Sequence, residues 1–399
     1  MVDRVSDTVD DRALRDPEQV LSLSATRMPF DPTMLEARHD EGFVNALQAL
    51  GVTLLVTREY EHLVVAISAA NDALQSSCLR VPHPSGLVVD RERDVVHIAC
   101  TRNPNQLLEL RPSAGWFDRS DRFDHIDLGG PGLVPHRMRF LPGCMYLHDL
   151  AIVAGRLLAN AVGLNVVVDL TDDTCRPVWW PRSVDDGGRF RGSRNLIQLN
   201  SIASGPSLST SAFTASCEAF NGFAPGDPQW PVDRQGVLFD GQTREVSVRG
   251  LTRPHSARRA SDGRMWIDDS GYGTLNVVVG ETAAVVAGLP GWTRGLCIIG
   301  DRAIVGTSRV IPRFEAYAPG IDPGAAVCGL HIVDLVTGTI EGSLVWPAGD
   351  QIFAIDWIGS STATGFTGGR PGESPTVDAA WYKFRPPGDD VADMTAKEG

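Results

Sequence analysis

Short runs of apolar and β-branched residues, separated by Gly, Asp, Asn and Pro, follow one another from about Thr53 to Ile358. Almost no stretch of this region places apolar residues at the three- and four-residue spacing of a helix. Short apolar runs with turn residues between them are typical of β-strands. The pattern therefore predicts an all-β protein over most of the chain.

Six segments share one pattern, in which a polar or aromatic residue comes first, a small or acidic residue second, and an aliphatic residue usually third. They are SGLVVD from Ser85, HDLAIV from His148, NSIASG from Asn200, HSARRA from His255, RGLCII from Arg294 and FAIDWI from Phe353. Their first residues are 39 to 63 residues apart, near the ~40 to 50 residues that a four-stranded propeller blade requires. The repeat predicts a six-bladed β-propeller in which each segment forms an innermost strand.

The two ends of the repeat region complement each other. The last segment, FAIDWI, has no room for three clear strands after it, whereas VTLLVTREY, HLVVAIS and LQSSCLRV precede the first segment without an inner strand of their own. Pairing the late strand with the early three would complete a sixth blade and remove an open sheet edge. We therefore expect a ring that is closed by strands from both ends of the chain.

Three regions are expected along the chain. Residues 1–51 form an N-terminal extension, residues 52–385 the propeller, and residues 386–399 a polar, disordered tail. Within the extension, DEGFVNALQAL has Phe43, Val44, Leu47 and Leu50 at helical spacing and Gly51 behind them as a stop signal. This pattern predicts a short helix that packs on the ring.

Composition and charge exclude several classes of partner. The formal net charge is −13 and the pI is about 5.1, whereas proteins that bind the phosphate backbone of nucleic acids rely on clustered Lys and Arg. No apolar stretch is long enough to span a bilayer, and the first residues lack the pattern of a secretory signal. The seven cysteines are scattered, with no Cys-x-x-Cys pair. We expect a cytoplasmic protein with reduced cysteines that binds neither nucleic acid nor membrane.

Three stretches of the repeat region resemble a bacterial family of unknown function. They are PHSARRASDGRMWIDDSGYGTLNVV from Pro254, RGLCIIGDRAIVGTSR from Arg294 and CGLHIVDLVTG from Cys328. In that family Pro-His-Ser-x-Arg, Asp-Ser-Gly-x-Gly and Arg-Gly-Leu follow in this order, in some members behind tetratricopeptide repeats, which this chain lacks. The resemblance covers roughly residues 52–358 and implies a propeller-like domain, but it brings no established reaction.

The propeller prediction itself indicates where a site lies. The innermost strands of a propeller begin around a central channel, so the first residues of the six segments should face one another: Ser85, His148, Asn200, His255, Arg294 and Phe353. His83, Asp149, Gln198, Arg253 and Trp292 flank this set. Two long loops, from Glu218 and from Arg309, should cover the same face, and the second carries Arg309, Arg313 and Glu315.

These residues suggest an enzyme that acts on a small polar, anionic substrate. His148 and His255 would exchange protons and Arg294 would hold an acidic group, while the substrate would be bound by Ser85, Asn200, Phe353, His83, Arg253, Trp292, Arg309 and Arg313. Isomerisation, cyclisation, elimination and hydrolysis all fit this set. In a variant of this hypothesis His148, His255 and Asp149 bind a divalent transition metal.

Other interpretations stay open at this stage. The histidines can be structural, and Arg294 can pair with Asp149 across the ring. The Asp268-Asp269 doublet lies at a predicted turn, where Asp, Ser and Gly are favoured for their backbone preferences. A propeller can also be a non-catalytic binding or scaffolding module for a peptide or glycan, because fold alone does not establish catalysis.

Overall fold

Six four-stranded antiparallel sheets form the blades of a β-propeller, as the sequence predicts. The computed structural model describes residues 32–102, 105–113, 116–118, 131–141, 145–192, 194–219, 232–366 and 381–384. Most of the predicted N-terminal extension and the predicted tail lie outside the described residues, so the three-region division stays a prediction. Among the described residues, no helix has the length and apolar character needed to cross a bilayer.

The first five blades each use four strands that are consecutive in their sheet, ordered from the innermost strand outwards. Blade 1 contains Pro84–Asp90, Val95–Cys100, Gln106–Ser113 and Gly132–Phe140. Blade 2 contains Leu147–Val153, Arg156–Ala161, Val166–Asp169 and Arg176–Trp179. Blade 3 contains Leu199–Ala203, Ala212–Ala215, Gly236–Asp240 and Val246–Leu251. Blade 4 contains His255–Arg259, Met265–Asp269, Thr274–Val279 and Thr282–Gly288. Blade 5 contains Trp292–Ile299, Arg302–Ser308, Gly329–Asp334 and Ile340–Val345.

Blade 6 closes the ring and is built from both ends of the repeat region. Its strands are Ala354–Gly359, Val52–Arg58, Leu63–Ala70 and Ala73–Arg80. The inner pair is antiparallel and in continuous register, with Val52 opposite Gly359 and Thr57 opposite Ala354. The predicted closure is therefore confirmed.

Short elements complete the architecture outside the four-stranded sheets. Arg38–His39 pairs with the outer edge of blade 5, and Gly365–Phe366 pairs in parallel with the outer strand of blade 1. Two small ladders join Asp185–Asp186 to Arg189–Phe190 and Trp116–Asp118 to Trp381–Phe384. The 3-10 helices are Pro32–Leu35, Val162–Leu164, Arg182–Val184, Leu208–Thr210, Ser270–Tyr272 and Pro312–Tyr317.

The predicted helix spans Glu41–Leu50. The Asp40 side chain accepts a hydrogen bond from the Phe43 N–H at 2.8 Å, and Gly51 ends the helix with a left-handed φ of 62°. Phe43 and Leu47 are completely buried against blades 5 and 6. The helix therefore covers the junction between blades 5 and 6.

The apolar core is divided into layers between neighbouring blades. All seven residues of Val52–Arg58 are buried, because Leu54 and Val56 pack towards blade 5 while Leu55 packs towards blade 1. A strand that is covered on both faces needs apolar residues at successive positions rather than at alternate ones. This requirement explains the uninterrupted apolar runs in the sequence.

Candidate functional site

A cavity of about 740 Å³ opens on the face of the ring at which the inner strands begin. The starts of inner strands contribute His148, His255 and Arg294 to its lining. The loops between second and third strands also border it, among them Glu59–Tyr60 of blade 6 and the segment from Arg309 after the second strand of blade 5. Both features agree with the predicted location of the site.

The inner strands of blades 1 to 5 each carry a β-bulge close to their first residue. The bulge of blade 2 contains His148, whereas the bulge of blade 4 begins one residue after His255, at Ser256. The two histidines therefore do not occupy matching positions of the repeat, although the sequence pattern predicted that they would. Both rings still line the cavity, because a bulge re-aims side chains locally.

The structure brings most of the predicted residues together. His148, His255, Arg294, Arg253, Trp292, Phe353 and Arg309 all line the cavity. Four other predicted residues, Ser85, Asn200, Asp149 and His83, do not belong to the lining. The side chain of Arg313 lies outside the described part of the structure.

Ser85 and Asn200 connect neighbouring blades instead of facing a ligand. Ser85 Oγ donates to the Leu147 carbonyl at 2.7 Å, and Asn200 Nδ2 donates to the Pro254 carbonyl at 2.9 Å. Similar hydrogen bonds between a side chain and the backbone cross each of the remaining four blade junctions. They join Asp149 to Ile202, Ser256 to Gly295, Ser308 to Ile352, and Thr57 to Ser85. Their position near the channel fits the repeat, but their polar atoms stabilise the ring.

Asp149 is committed to an ion pair. Its two carboxylate oxygens accept hydrogen bonds from Arg258 at 2.9 and 3.0 Å and from the N–H groups of Ile202 and Leu150 at 2.9 and 3.0 Å. The expected alternative partner of Asp149, Arg294, is not the residue that binds it. Among the described residues, no group of three or more His, Cys, Asp or Glu is arranged to bind a metal ion, so the predicted ligand set of His148, His255 and Asp149 stays a prediction.

Burial favours the neutral form of both cavity histidines. Burial lowers the pKa of both imidazoles well below the ordinary value, and the positive charges of Arg294 and Arg253 lower it further. His255 Nδ1 lies 2.7 Å from the Arg253 carbonyl and 3.0 Å from Ser270 Oγ. Because a carbonyl only accepts, Nδ1 carries the ring proton and Nε2 keeps the lone pair.

His148 differs from His255 in its surroundings. Its Nδ1 is buried and has no hydrogen-bond partner among the described residues, although the Asn200 side chain lies near enough to raise the imidazole pKa slightly against the effect of burial. Its ring meets the Phe353 ring edge to face, with centroids 5.2 Å apart. Phe353 thus fixes the orientation of His148.

Aromatic faces support both cavity arginines. The Arg294 guanidinium carbon lies 3.3 Å from the centroid of Phe353, and that of Arg253 lies 4.3 Å from the centroid of Tyr317. Burial lowers the pKa of each guanidinium to about 10. Both groups therefore stay charged at neutral pH in surroundings that disfavour charge.

Glu59 and Gln351 belong to the site although the sequence analysis did not select them. With its amide oxygen facing Arg294, Gln351 accepts from Nη1 at 2.9 Å and donates to Glu59 Oε2 at 3.2 Å. Burial alone would raise the pKa of Glu59, but the neighbouring His83 and the charges of Arg294 and Arg102 outweigh this effect and lower the pKa. His83 lies outside the cavity lining beside this carboxylate, with its Nδ1 atom 3.7 Å from Glu59 Oε1.

The signal for these residues in the sequence is weak. Glu59 follows the second strand of blade 6, and Gln351 precedes the inner strand of the same blade. The two residues are 292 positions apart in the chain and come together only when the ring closes. A rule that places cavity residues after second strands as well as before inner strands would have selected both.

Several solved structures align with most of this chain at low sequence identity. The structure described as a nidogen/laminin complex aligns with a TM-score of 0.51 at 11% identity, over 79% of this chain and 100% of that one. A gluconolactonase from Xanthomonas campestris aligns with 0.44 at 12%, over 75% and 86%. A putative 6-phosphogluconolactonase from Bacteroides uniformis aligns with 0.45 at 13%, over 77% and 99%. At these identities the likeness concerns the fold alone.

No curated protein matches the sequence significantly. The profile of one protein family, described as "Domain of unknown function (DUF4915)", matches residues 41–365. This match includes the N-terminal helix, all six inner strands and the closing blade. The chain belongs to the DUF4915 family.

Proposed function

We propose that this member of the DUF4915 family is an enzyme that binds a small anionic molecule in the axial cavity, where His148 and His255 transfer protons to or from it. The observation that supports the proposal best is the charge of the lining. Among the described lining residues there are five arginines, Arg102, Arg194, Arg253, Arg294 and Arg309, but two carboxylates, Glu59 and Asp350. A protein with a net charge of −13 thus concentrates positive charge in this cavity.

The two buried arginines supply the anion-binding group of this proposal. Arg294 and Arg253 are 8% and 9% exposed, so their charges are poorly screened by solvent. Planar guanidinium groups that stack on aromatic rings present their N–H edges sideways, in the geometry that suits a carboxylate or a phosphate. An anion bound between the two guanidinium groups would compensate their poorly screened positive charges.

The neutral imidazoles supply the proton transfer. A neutral histidine beside positive charge can accept a proton while the arginines stabilise the negative charge that develops on the substrate. His255 Nε2 is the basic atom in this role, since Nδ1 is occupied by the Arg253 carbonyl. The arrangement favours isomerisation or elimination that begins with loss of a proton next to an acidic group.

Thermal unfolding with a panel of monocarboxylates, dicarboxylates and phosphate monoesters tests the binding step. A ligand at 100 times its Kd stabilises the folded state by about 2.7 kcal/mol, which raises Tm by a few degrees. We expect such a shift for the wild type, a small one for Arg294→Lys and none for Arg294→Met. Arg176→Met, at an exposed arginine of blade 2 with 65% of its side-chain surface accessible, serves as the control and should behave as the wild type.

Proton transfer is tested on any ligand that the panel identifies. Exchange of its carbon-bound hydrogens with deuterated solvent, followed by NMR, should proceed with the wild type and should be lost in His148→Gln and His255→Gln while binding persists. If none of the anions shifts Tm, the proposal is wrong. If anions bind but both variants exchange hydrogens at the wild-type rate, the catalytic part is wrong and a binding module remains.

A further inference from the structure

The cavity has two apolar walls that lie on opposite sides of the axis. Val162 and Leu164 of blade 2 form one, and Ile311 and Phe314, on the loop that follows the second strand of blade 5, form the other. Blades 2 and 5 are three positions apart in a ring of six, so these walls face each other. The cavity therefore has apolar side chains on two opposite sides, with the charged residues of the lining between them.

The blade 5 wall is held in place by its own small core. Trp292, Val310 and Ala318 are buried together, and Phe314 and Tyr317 pack against them. The Trp292 ring lies between His255 and Phe314, with centroids 6.0 Å from each. Because these rings are packed before any ligand arrives, the wall is a pre-formed surface for a flat group.

This wall continues directly into the anion-binding groups. Trp292 precedes Arg294 by two positions on the same strand. Tyr317, whose ring supports Arg253, has its centroid 6.2 Å from that of Phe314. A ligand with its acidic group on the arginines therefore has the rest of its body beside Trp292 and Phe314.

We propose that the natural ligand of this site is an aromatic carboxylate, with its acidic group at Arg294 and Arg253 and its planar ring against Trp292 and Phe314. This inference rests on the proposed anion-binding function and adds the class of molecule. The cavity volume of about 740 Å³ is in the range that binds drug-sized ligands, which bury most of their surface. A short aliphatic acid would leave the apolar walls exposed to water.

Calorimetric titration of the full chain with 2-naphthoate and with gluconate, which carry the same single charge, tests this assignment. We expect 2-naphthoate to bind at least about tenfold more tightly, a difference that corresponds to ~1.4 kcal/mol. Phe314→Ala should weaken 2-naphthoate about tenfold and leave gluconate unchanged. Phe140→Ala removes an aromatic ring that is 51% exposed on the outer strand of blade 1 and does not line the cavity, so this variant should change neither affinity.

The outcomes separate this inference from the proposed function. If gluconate binds as tightly as 2-naphthoate, or if Phe314→Ala weakens both equally, the aromatic assignment is wrong and the anion site stands. If neither acid binds, the aromatic assignment is wrong, and the proposed function is decided by the wider panel of anions. If Arg294→Met leaves the binding of both acids intact, the proposed function fails as well. Phe314→Leu, which retains an apolar side chain in the loop, covers the case in which the alanine variant does not fold, and should show a smaller loss of the same sign.

Discussion

Replacing Asp149 by alanine should destabilise the whole ring, because its carboxylate joins blades 2, 3 and 4 below the cavity. The substitution removes two charged hydrogen bonds from Arg258 and leaves the N–H groups of Ile202 and Leu150 without this acceptor. The side chains of Asp149 and Arg258 are only 6% and 19% exposed. Removing one partner of a buried ion pair costs about 3 to 5 kcal/mol, a large part of the ~5 to 15 kcal/mol that stabilises most folded proteins.

Urea unfolding followed by tryptophan fluorescence measures this loss. With a slope of ~3 kcal/mol/M or somewhat more for a chain of this size, the midpoint of Asp149→Ala should fall by roughly 1 M. Arg258→Met and the double variant complete a cycle, and we expect a coupling energy of about 2 kcal/mol between the two sites. Asp173→Ala is the control, because this carboxylate is 75% exposed although it also pairs with arginine, and it should cost less than ~1 kcal/mol.

Two results would refute this reasoning. A loss below about 1 kcal/mol for Asp149→Ala would mean that the ion pair does not hold the blades together. A coupling energy near zero would mean that Asp149 acts through something other than Arg258.

Four further predictions concern the pH dependence of stability, a buried carboxyl group and metal. Burial lowers the pKa of His331 to about 4, so its contribution to stability is present above the unfolded value of ~6.5 and is lost as pH falls through about 4; urea midpoints should decline over this range. Burial raises the pKa of Asp269 to about 6 from 3.8, so the contribution of the protonated acid to stability is full below about pH 3.8 and is lost as pH rises through about 6. Relative to Asp269→Asn, the free energy of unfolding of the wild type should therefore increase by about 3 kcal/mol between pH 7 and pH 3.5. The absence of such an increase would contradict this prediction. Both oxygens of Asp268 are buried without a partner among the described residues, and burial raises its pKa well above the ordinary value; Asp268→Asn, which resembles the protonated acid, should therefore match or exceed the wild-type Tm at pH 7. Because Asp149 is paired with Arg258, treatment with EDTA should leave anion binding unchanged. If EDTA abolishes anion binding and added zinc restores it, the result would support the metal hypothesis.

Several features of the fold were predictable because each depends on residues that are close in the sequence or on a repeated pattern. The helix before Val52 is predicted by its apolar spacing and by Gly51, and the structure ends it there. The blades are predicted by apolar runs between turn residues. The closing blade is predicted by the number of strands, because one strand is left over at the end of the repeat region and three at its start. Pairing Val52–Arg58 with Ala354–Gly359 joins these four strands into one blade.

The composition of the site depended on details that a linear pattern does not contain. A bulge displaces a side chain by one position, so His148 and His255 reach the same cavity from different registers, while Ser85, near the channel as predicted, bonds instead to the next blade. With its amide oxygen facing Arg294, Gln351 connects Arg294 to Glu59, although Glu59 and Gln351 come from opposite ends of the repeat region.

By itself the sequence determined the β class, the number of blades, the ring closure and the face that bears the cavity, because strand periodicity and turn chemistry act over a few residues at a time. Only the tertiary structure decided which polar residues face the cavity and which join the blades. That choice depends on bulges of a single residue and on contacts between residues far apart in the chain. The pKa of each group is then set by burial and by neighbouring charges, which exist only after the six blades have packed.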